Sequence, residues 1–151
     1  MISVARGDLF EAKVEALVNP VNCLGISGAG LAKQFKERWP ENHRAYALEC
    51  HEGKLWPGKM FTHEIPSAAK ESPRWIINFP TKTRWQEPSK IDYIYRGLIG
   101  LIGAVKMLEI GSIAIPQLGC GLGGLKWLEI RPMIERAFIA LPDIRVILYE
   151  A

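Results

Sequence analysis

Residues 74–85 read RWIINFPTKTRW. Trp75, Ile76, Ile77 and Phe79 form a continuous apolar run, the pattern of a strand covered on both faces. Such cover implies helices above and below a parallel sheet, so the stretch points to an α/β fold. The run stops at Pro80. Two residues later comes Lys82, with Trp85 close behind. A loop lysine is ordinarily solvated. A lysine that a buried strand delivers to the rim of a sheet sits where ligands bind, and the two readings stand side by side at this point.

The flanking sequence repeats the alternation. Residues 2–5 and 15–19 read as strands, the second ended by the Asn19-Pro20 turn signal. In residues 30–39, Leu31, Phe35 and Trp39 recur at spacings of four and predict a helix. A second helix follows Pro40 and ends at Gly53. Residues 59–65 alternate as a strand. Residues 89–109 carry Ile91, Ile94, Leu98, Leu101, Val105 and Leu108 at helical spacing, with Ser89 as the expected N-cap. Gly97, Gly100 and Gly103 within it suit close packing against a sheet. Residues 112–116 read as a short buried strand and residues 144–150 as a last one. Between them a helix presents Trp127, Ile130, Ile134 and Phe138 inward, and Pro132 predicts a late start or a kink. The expectation is one α/β domain over residues 1–151, with a mostly parallel sheet and helices on both faces.

Composition agrees. The chain has 151 residues, enough for one core, with 48% hydrophobic and 23% charged residues, which excludes a disordered protein. The net charge of +3 permits an anionic ligand, but no long basic run holds nucleic acid by bulk charge. Cys23, Cys50 and Cys120 are odd in number and widely spaced, which argues against a disulfide framework or zinc site and for a reducing, cytoplasmic setting. His43, His51 and His63 give no metal-ligand spacing. The opening MISVARGDLF is interrupted by Arg6 and Asp8 and is not a signal peptide, and no apolar stretch is long enough to span a membrane.

Three loops each follow an expected strand: PVNCLGISGAG after residues 15–19, PTKTRW after 75–79 and QLGCGLGG after 112–116. In open α/β sheets ligands bind beyond the carboxyl ends of the strands. If these strands are parallel, the loops converge on one rim. Gly119, Gly121, Gly123 and Gly124 lie between a strand and a helix, where bare backbone N–H groups and a helix dipole favour a phosphate. The same glycines also suit a tight structural turn. The match to GxGxxG lies too near the C-terminus for a dinucleotide fold, and no Gly-Lys-Ser/Thr marks a P-loop. Gly25, Gly28 and Gly30 form a second glycine-rich loop opening a helix, so the pair can hold a diphosphate from both sides. Asn19 and Asn22 flank its entry and either face sugar hydroxyls or cap turns; for Asn19, beside Pro20, the cap is preferred. Asp8 either accepts from the exocyclic amine of a base or caps a turn.

With these residues assembled, the chain resembles a macrodomain, the ADP-ribose-binding fold. GDLFEAKVEALVNPVN (residues 7–22) is similar to the family's first strand, Gly-Asp pair and Val-Asn-x-x-Asn segment. GISGAGLAKQF (25–35) resembles its first phosphate loop and IPQLGCGLGG (115–124) its second. Water-activating members carry a triple-glycine loop with a nearby Asp, which GISGAGLA lacks. The chain resembles instead the lysine-bearing branch. In a eukaryotic hydrolase of that branch, which removes ADP-ribose from glutamate, the lysine pairs with an aspartate in the second loop; here that position is Gly123. NFPTK with Trp85, GCGLGGLKW and FKERWPENHRAY are more similar still to bacterial antitoxin macrodomains that remove ADP-ribose from thymine bases in DNA.

The resemblance implies a three-layer α/β/α fold with a mixed, mostly parallel sheet. It places the catalytic lysine at Lys82, with Asn22 orienting the distal ribose. It implies diphosphate contacts from Gly28, Ala29, Gly30 and Leu31 in one loop and from Gly119, Cys120, Gly121, Leu122 and Gly123 in the other. It adds adenine contacts from Asp8 and Leu9, with Asn19 and Thr81 completing the pocket. The chemistry is deADP-ribosylation through a covalent sugar–lysine adduct; a lysine beside apolar groups can have a lowered pKa and act as a nucleophile. His63, Glu64 and Glu87 are the unranked proton donors. Arg84, Trp85 and Lys90 either contact DNA or form a solvated loop face, and Trp85 either stacks a base or shields the lysine. The implied substrate is single-stranded or flipped ADP-ribosylated DNA, with ADP-ribose as ligand and product and no cofactor or metal. The implied partner is a cognate ADP-ribosyltransferase toxin, and the expected state is a monomer. The related antitoxin has a further C-terminal region, so the chain is either a fragment or a stand-alone hydrolase. Three other readings share the pocket: a non-catalytic ADP-ribose reader, a protein glutamate-ester hydrolase and an ADP-ribose 1″-phosphate phosphatase.

Overall fold

The computed structural model describes residues 1–66 and 73–150. Six strands, β1 (Ile2–Arg6), β2 (Ala16–Val21), β3 (Phe61–Glu64), β4 (Trp75–Pro80), β5 (Ser112–Ile115) and β6 (Arg145–Glu150), form one sheet in the order β1-β6-β5-β2-β4-β3. Every neighbouring pair is parallel except β3 with β4. Helices α1 (Gly30–Arg38) and α2 (Pro40–His51) follow β2; α3 (Ile91–Met107) follows β4; α4 (Trp127–Ala137) follows β5.

Period-two alternation of the strand side chains sorts the helices into layers. Ala16 and Val18, Ile77 and Phe79, Ile113 and Ile115 pack with Ile94, Leu98 and Leu101 of α3 and Ile130 and Ile134 of α4. Their neighbours Leu17, Ile76 and Ala114 pack on the opposite face with Phe35 of α1. Both faces are apolar, which is why the run at residues 75–79 shows no alternation: every position of β4 from Ile76 to Pro80 is buried. At the crossing of α3 and β4, a Cβ on Gly97 would overlap the Phe79 ring, so this glycine lets helix and sheet touch. Gly100 instead lies against the Gly58 carbonyl, and Gly103 meets nothing within 4 Å, so close sheet packing explains only the first of the three.

Three local expectations are corrected. Strand β2 does not stop at Asn19-Pro20 but runs to Val21, paired with β4 throughout. Its ladder to β5 covers only Ala16 and Leu17, so beyond that point a residue without an N–H is tolerated. Ser89 is not the cap of α3: Lys90 holds that position, without a side-chain bond, and Ser89 is buried against the second glycine loop. Pro132 neither delays nor ends α4, which begins at Trp127 and runs through it. The carbonyl that thereby loses its helical donor is that of Leu128, whose side chain is exposed, so water can satisfy it.

Candidate active site

The parallel strands bring the three loops to one rim, around a cavity of about 980 Å³. Its walls come from residues 7–9 after β1, 20–31 at the end of β2, 81–85 after β4, 116–123 after β5, and Tyr149 and Glu150 closing β6, though not every residue of those stretches reaches the wall. The volume suits a ligand of dinucleotide size.

The first loop is held by Asn22. Its Oδ1 accepts from Leu24 N (3.0 Å) and the Tyr46 hydroxyl (2.9 Å), and its Nδ2 donates to Ile26 O (2.8 Å). Most of the amide is thus spent on the loop, leaving the second Nδ2 proton for a ligand. Helix α1 starts at Gly30 in the left-handed region (φ 60°), with Ala29 before it providing no side-chain cap. The first N–H groups of α1 therefore face the cavity end of the helix without a side-chain acceptor, where the helix dipole favours an anion.

The glycines divide by cause. In the second loop Gly119 needs its positive φ (73°), and a Cβ on Gly123 would overlap both Ser89 Oγ and the Gly119 carbonyl. Gly28 and Gly121 are different: both line the cavity, neither adopts a left-handed φ, and an added Cβ would meet nothing within 4 Å. Packing does not require glycine at either position. The room beside them belongs to the cavity, as expected of backbone that a ligand approaches closely. Gly123→Ala is expected to cost about 1–3 kcal/mol of stability through overpacking. Gly121→Ala should leave the melting midpoint in place while weakening binding of ADP-ribose, the ligand that the resemblance implies. Thermal melts and calorimetric titration with ADP-ribose check the pair.

Lys82 lies on the cavity wall, half-buried. Its ammonium donates to Leu122 O (3.2 Å) and Trp85 O (3.4 Å), so it spans from the β4 loop to the second glycine loop. Its backbone is fixed too: Cys23 Sγ donates to Lys82 O (3.4 Å), and Cys23 N to Thr83 O (3.0 Å). Burial pushes the Cys23 thiol up to about 12, aided by nearby Cys50, and the Cys120 thiol up to about 11. Neither sulfur is a thiolate at neutral pH. Lys82 supplies the amine of the 81–85 wall segment, beside the Thr81 hydroxyl.

Asp8 and Leu9 line the far end of the cavity. Asp8 caps the 3-10 turn Leu9–Glu11, with Oδ1 accepting from Phe10 N (2.9 Å), and its Oδ2 lies 3.8 Å from Arg38, so the capping reading holds while the residue stays on the wall. Glu150 joins it there. The Trp127 indole donates to Glu150 (2.9 Å) and, with Arg131 and Arg6 nearby, holds its carboxyl below the usual range. The cavity is polarised: two carboxylates at the β1–β6 end, backbone donors and an ammonium around the glycine loops.

Gly28, Ala29, Gly30, Leu31, Thr81, Gly119, Gly121, Leu122, Gly123 and Trp85 also line the cavity. Asn19 and Cys120 do not. Asn19 is buried in the sheet, donating to Asn78 Oδ1 (3.0 Å), so it is neither a turn cap nor a wall residue; the strand continuing past it directs it sideways. Cys120 turns its thiol to Leu118 O (3.4 Å) and packs on the core. Of the proton-donor candidates, His63 and Glu64 pair with Ile76 and Trp75, at the amino end of β4 and away from the rim, because β3 is antiparallel. Glu87 bonds Thr83 Oγ1 (3.1 Å) on the exposed outer loop, where Arg84 lies 4.0 Å away, also off the cavity wall. The wall residues that the sequence reading missed include Ser27, Gln117, Tyr149 and Glu150. The carboxyl-end rule, applied to the last strand as well, points to the final two.

The Macro domain family profile matches residues 18–134. A protein of Mycobacterium tuberculosis named DNA ADP-ribosyl glycohydrolase is 46% identical over 149 residues, covering 99% of this chain and 42% of its own length. The chain thus spans under half the length of that relative. The solved macrodomain of Mycobacterium tuberculosis DarG superposes with a TM-score of 0.96 at 46% identity, covering 100% of this chain and 98% of that one. Thermosipho africanus DarTG, solved in complex with ADP-ribose, superposes with a TM-score of 0.90 at 31% identity, over 99% of this chain and 41% of that one.

Proposed function

The chain belongs to the Macro domain family, and from that premise we propose that it is a hydrolase releasing ADP-ribose from thymine-linked ADP-ribosylated DNA, with Lys82 as nucleophile. One observation carries this reading: the Lys82 amine stands on the cavity wall, bridging to the second glycine loop, while the carboxylates Asp8 and Glu150 line the β1–β6 end. That order of groups matches ADP-ribose along its length. The adenine amine meets Asp8 and Glu150, the diphosphate meets the backbone N–H groups of both glycine loops, and the distal ribose reaches Lys82.

In this scheme Lys82 releases its carbonyl partners, loses a proton and attacks the anomeric carbon C1″ of the base-linked ribose. An Nζ–C1″ bond forms, the bond from C1″ to the base breaks, and the departing base takes up a proton. Water then adds to the sugar–lysine adduct and frees ADP-ribose and the amine. Such an intermediate splits one hard step into two easier ones. Asn22 holds the first loop and offers one amide proton to the ribose. A DNA ADP-ribosyltransferase is the class of enzyme that would supply the substrate, and single-stranded DNA suits a base that must enter the cavity.

The test is incubation with a thymidine-linked ADP-ribosylated oligonucleotide beside a protein ADP-ribosylated on glutamate. Release from the DNA at a rate at least tenfold above that from the protein is the expected outcome. Equal rates would remove the DNA preference, and binding of ADP-ribose without release from either would leave a reader in place of an enzyme.

A further inference from the structure

Beyond the cavity wall, rings and cations alternate along one face, with Trp85 and Trp56 exposed and Tyr93 half-buried. Trp85, at the wall, is 54% exposed. Its loop leads directly into α3, where Lys90 Nζ lies 5.5 Å above the Tyr93 ring and the Arg96 guanidinium 5.4 Å from the same ring. A Cβ on Gly58 would touch Arg96 Cβ (3.2 Å), so the loop before β3 lies against this turn of α3. In that loop Lys59 covers the face of Trp56 at 4.6 Å, and Trp56 is 53% exposed. Because β3 runs antiparallel to β4 and begins opposite Asn78, the loop ahead of it returns to the same rim as the cavity.

We propose that this face is a binding track for single-stranded nucleic acid, taking the segment on one side of the nucleotide whose ADP-ribose occupies the cavity; the proposal rests on the DNA reading above. Three features favour a nucleic-acid strand over a protein surface. Each of Tyr93 and Trp56 carries a cation over a ring face, and a flexible cation that swings to a phosphate leaves that face to a base. The face carries Arg84, Lys90, Arg96 and Lys59 against Glu87 and Asp92, a local surplus of two positive charges in a chain with no basic run. The track also starts at Trp85, on the wall of the cavity itself, so a strand attached to the modified nucleotide passes onto it without crossing another surface. Ile91, Tyr95 and Ile99 on α3 are exposed at spacings of four and mark a separate apolar stripe that the strand does not need.

Two measurements test this. The first is anisotropy of labelled, unmodified oligo-dT titrated with wild-type protein, Trp56→Ala, Lys59→Ala and Arg96→Ala across a salt series. Trp56→Ala should weaken binding about tenfold. Each lost cation should reduce the slope of log K against log salt by about 0.7. The second is kcat/KM for ADP-ribosylated thymidine as a mononucleoside and within a long oligonucleotide. Wild type should prefer the long substrate, and the long-to-short ratio should fall about tenfold in Trp56→Ala. Absence of oligo-dT binding, or variants that change neither the affinity nor the salt slope, would overturn the track. If wild type releases no ADP-ribose from either substrate, the hydrolase reading fails by itself. Anisotropy then decides the track alone, binding lost in the variants supporting it and binding unchanged overturning it.

Discussion

Lys82→Ala is expected to lower the rate of ADP-ribose release by roughly 10³-fold or more while leaving ADP-ribose affinity within a few-fold of wild type. The two halves have separate physical origins. In the proposed scheme binding depends on backbone N–H groups of two loops and on the carboxylates Asp8 and Glu150, none of which the substitution removes. The proposed chemistry depends on an amine, and the nearby thiol of Cys23, pushed up to about 12 by burial and off the cavity wall, does not replace it. The alanine variant also loses the bridge to Leu122 O, so a companion is needed. Lys82→Arg can keep a donor to that carbonyl, but a guanidinium does not deprotonate in proteins and cannot attack. Both variants should be inactive. Reduction with cyanoborohydride during turnover should trap a sugar adduct on the wild type alone. Full turnover by Lys82→Ala would end the covalent scheme.

Asn78→Ala should be the most destabilising of the substitutions considered. Asn78 is fully buried in β4 and makes four hydrogen bonds to three partners: Oδ1 accepts from Asn19 (3.0 Å) and Asn42 (3.2 Å), and Nδ2 donates to Asn42 Oδ1 (2.9 Å) and Phe61 O (3.0 Å). The network ties β2, β3 and β4 to α2. Truncation leaves several buried polar groups unpaired, at about 1–3 kcal/mol each before relaxation. A total of about 3 kcal/mol or more and a fall in Tm on the order of 10 °C are expected. Urea and thermal melts measure both. A loss below about 1 kcal/mol would mean that water or a rearranged Asn42 takes over the bonds.

The layered fold was legible because β4 is uninterrupted in its hydrophobicity and because Leu31, Phe35 and Trp39, then Ile94, Leu98 and Leu101, keep helical spacing. The rim was legible from strand-then-loop order alone, and Lys82 came with it. What was hidden depends on neighbours far away in sequence. Pro20 reads as a stop until the short β5 ladder shows that its missing N–H is harmless. Ser89 reads as a cap until its contact with Gly123 appears. Asn19 reads as a turn residue, yet its partner lies 59 positions on. The glycines looked alike, although Gly97 and Gly123 are there because something fills the space of a side chain, and Gly28 and Gly121 because nothing does.

The crowding over Gly123 also bears on how such catalysts diverge. Where a relative sets an acid beside its lysine, a carboxylate needs the volume that Ser89 and the Gly119 carbonyl occupy in this chain. Shortening residue 89 alone would not make that room, because the Gly119 carbonyl is backbone and stays. An acidic residue at position 123 therefore requires a differently shaped turn, not a side-chain exchange alone.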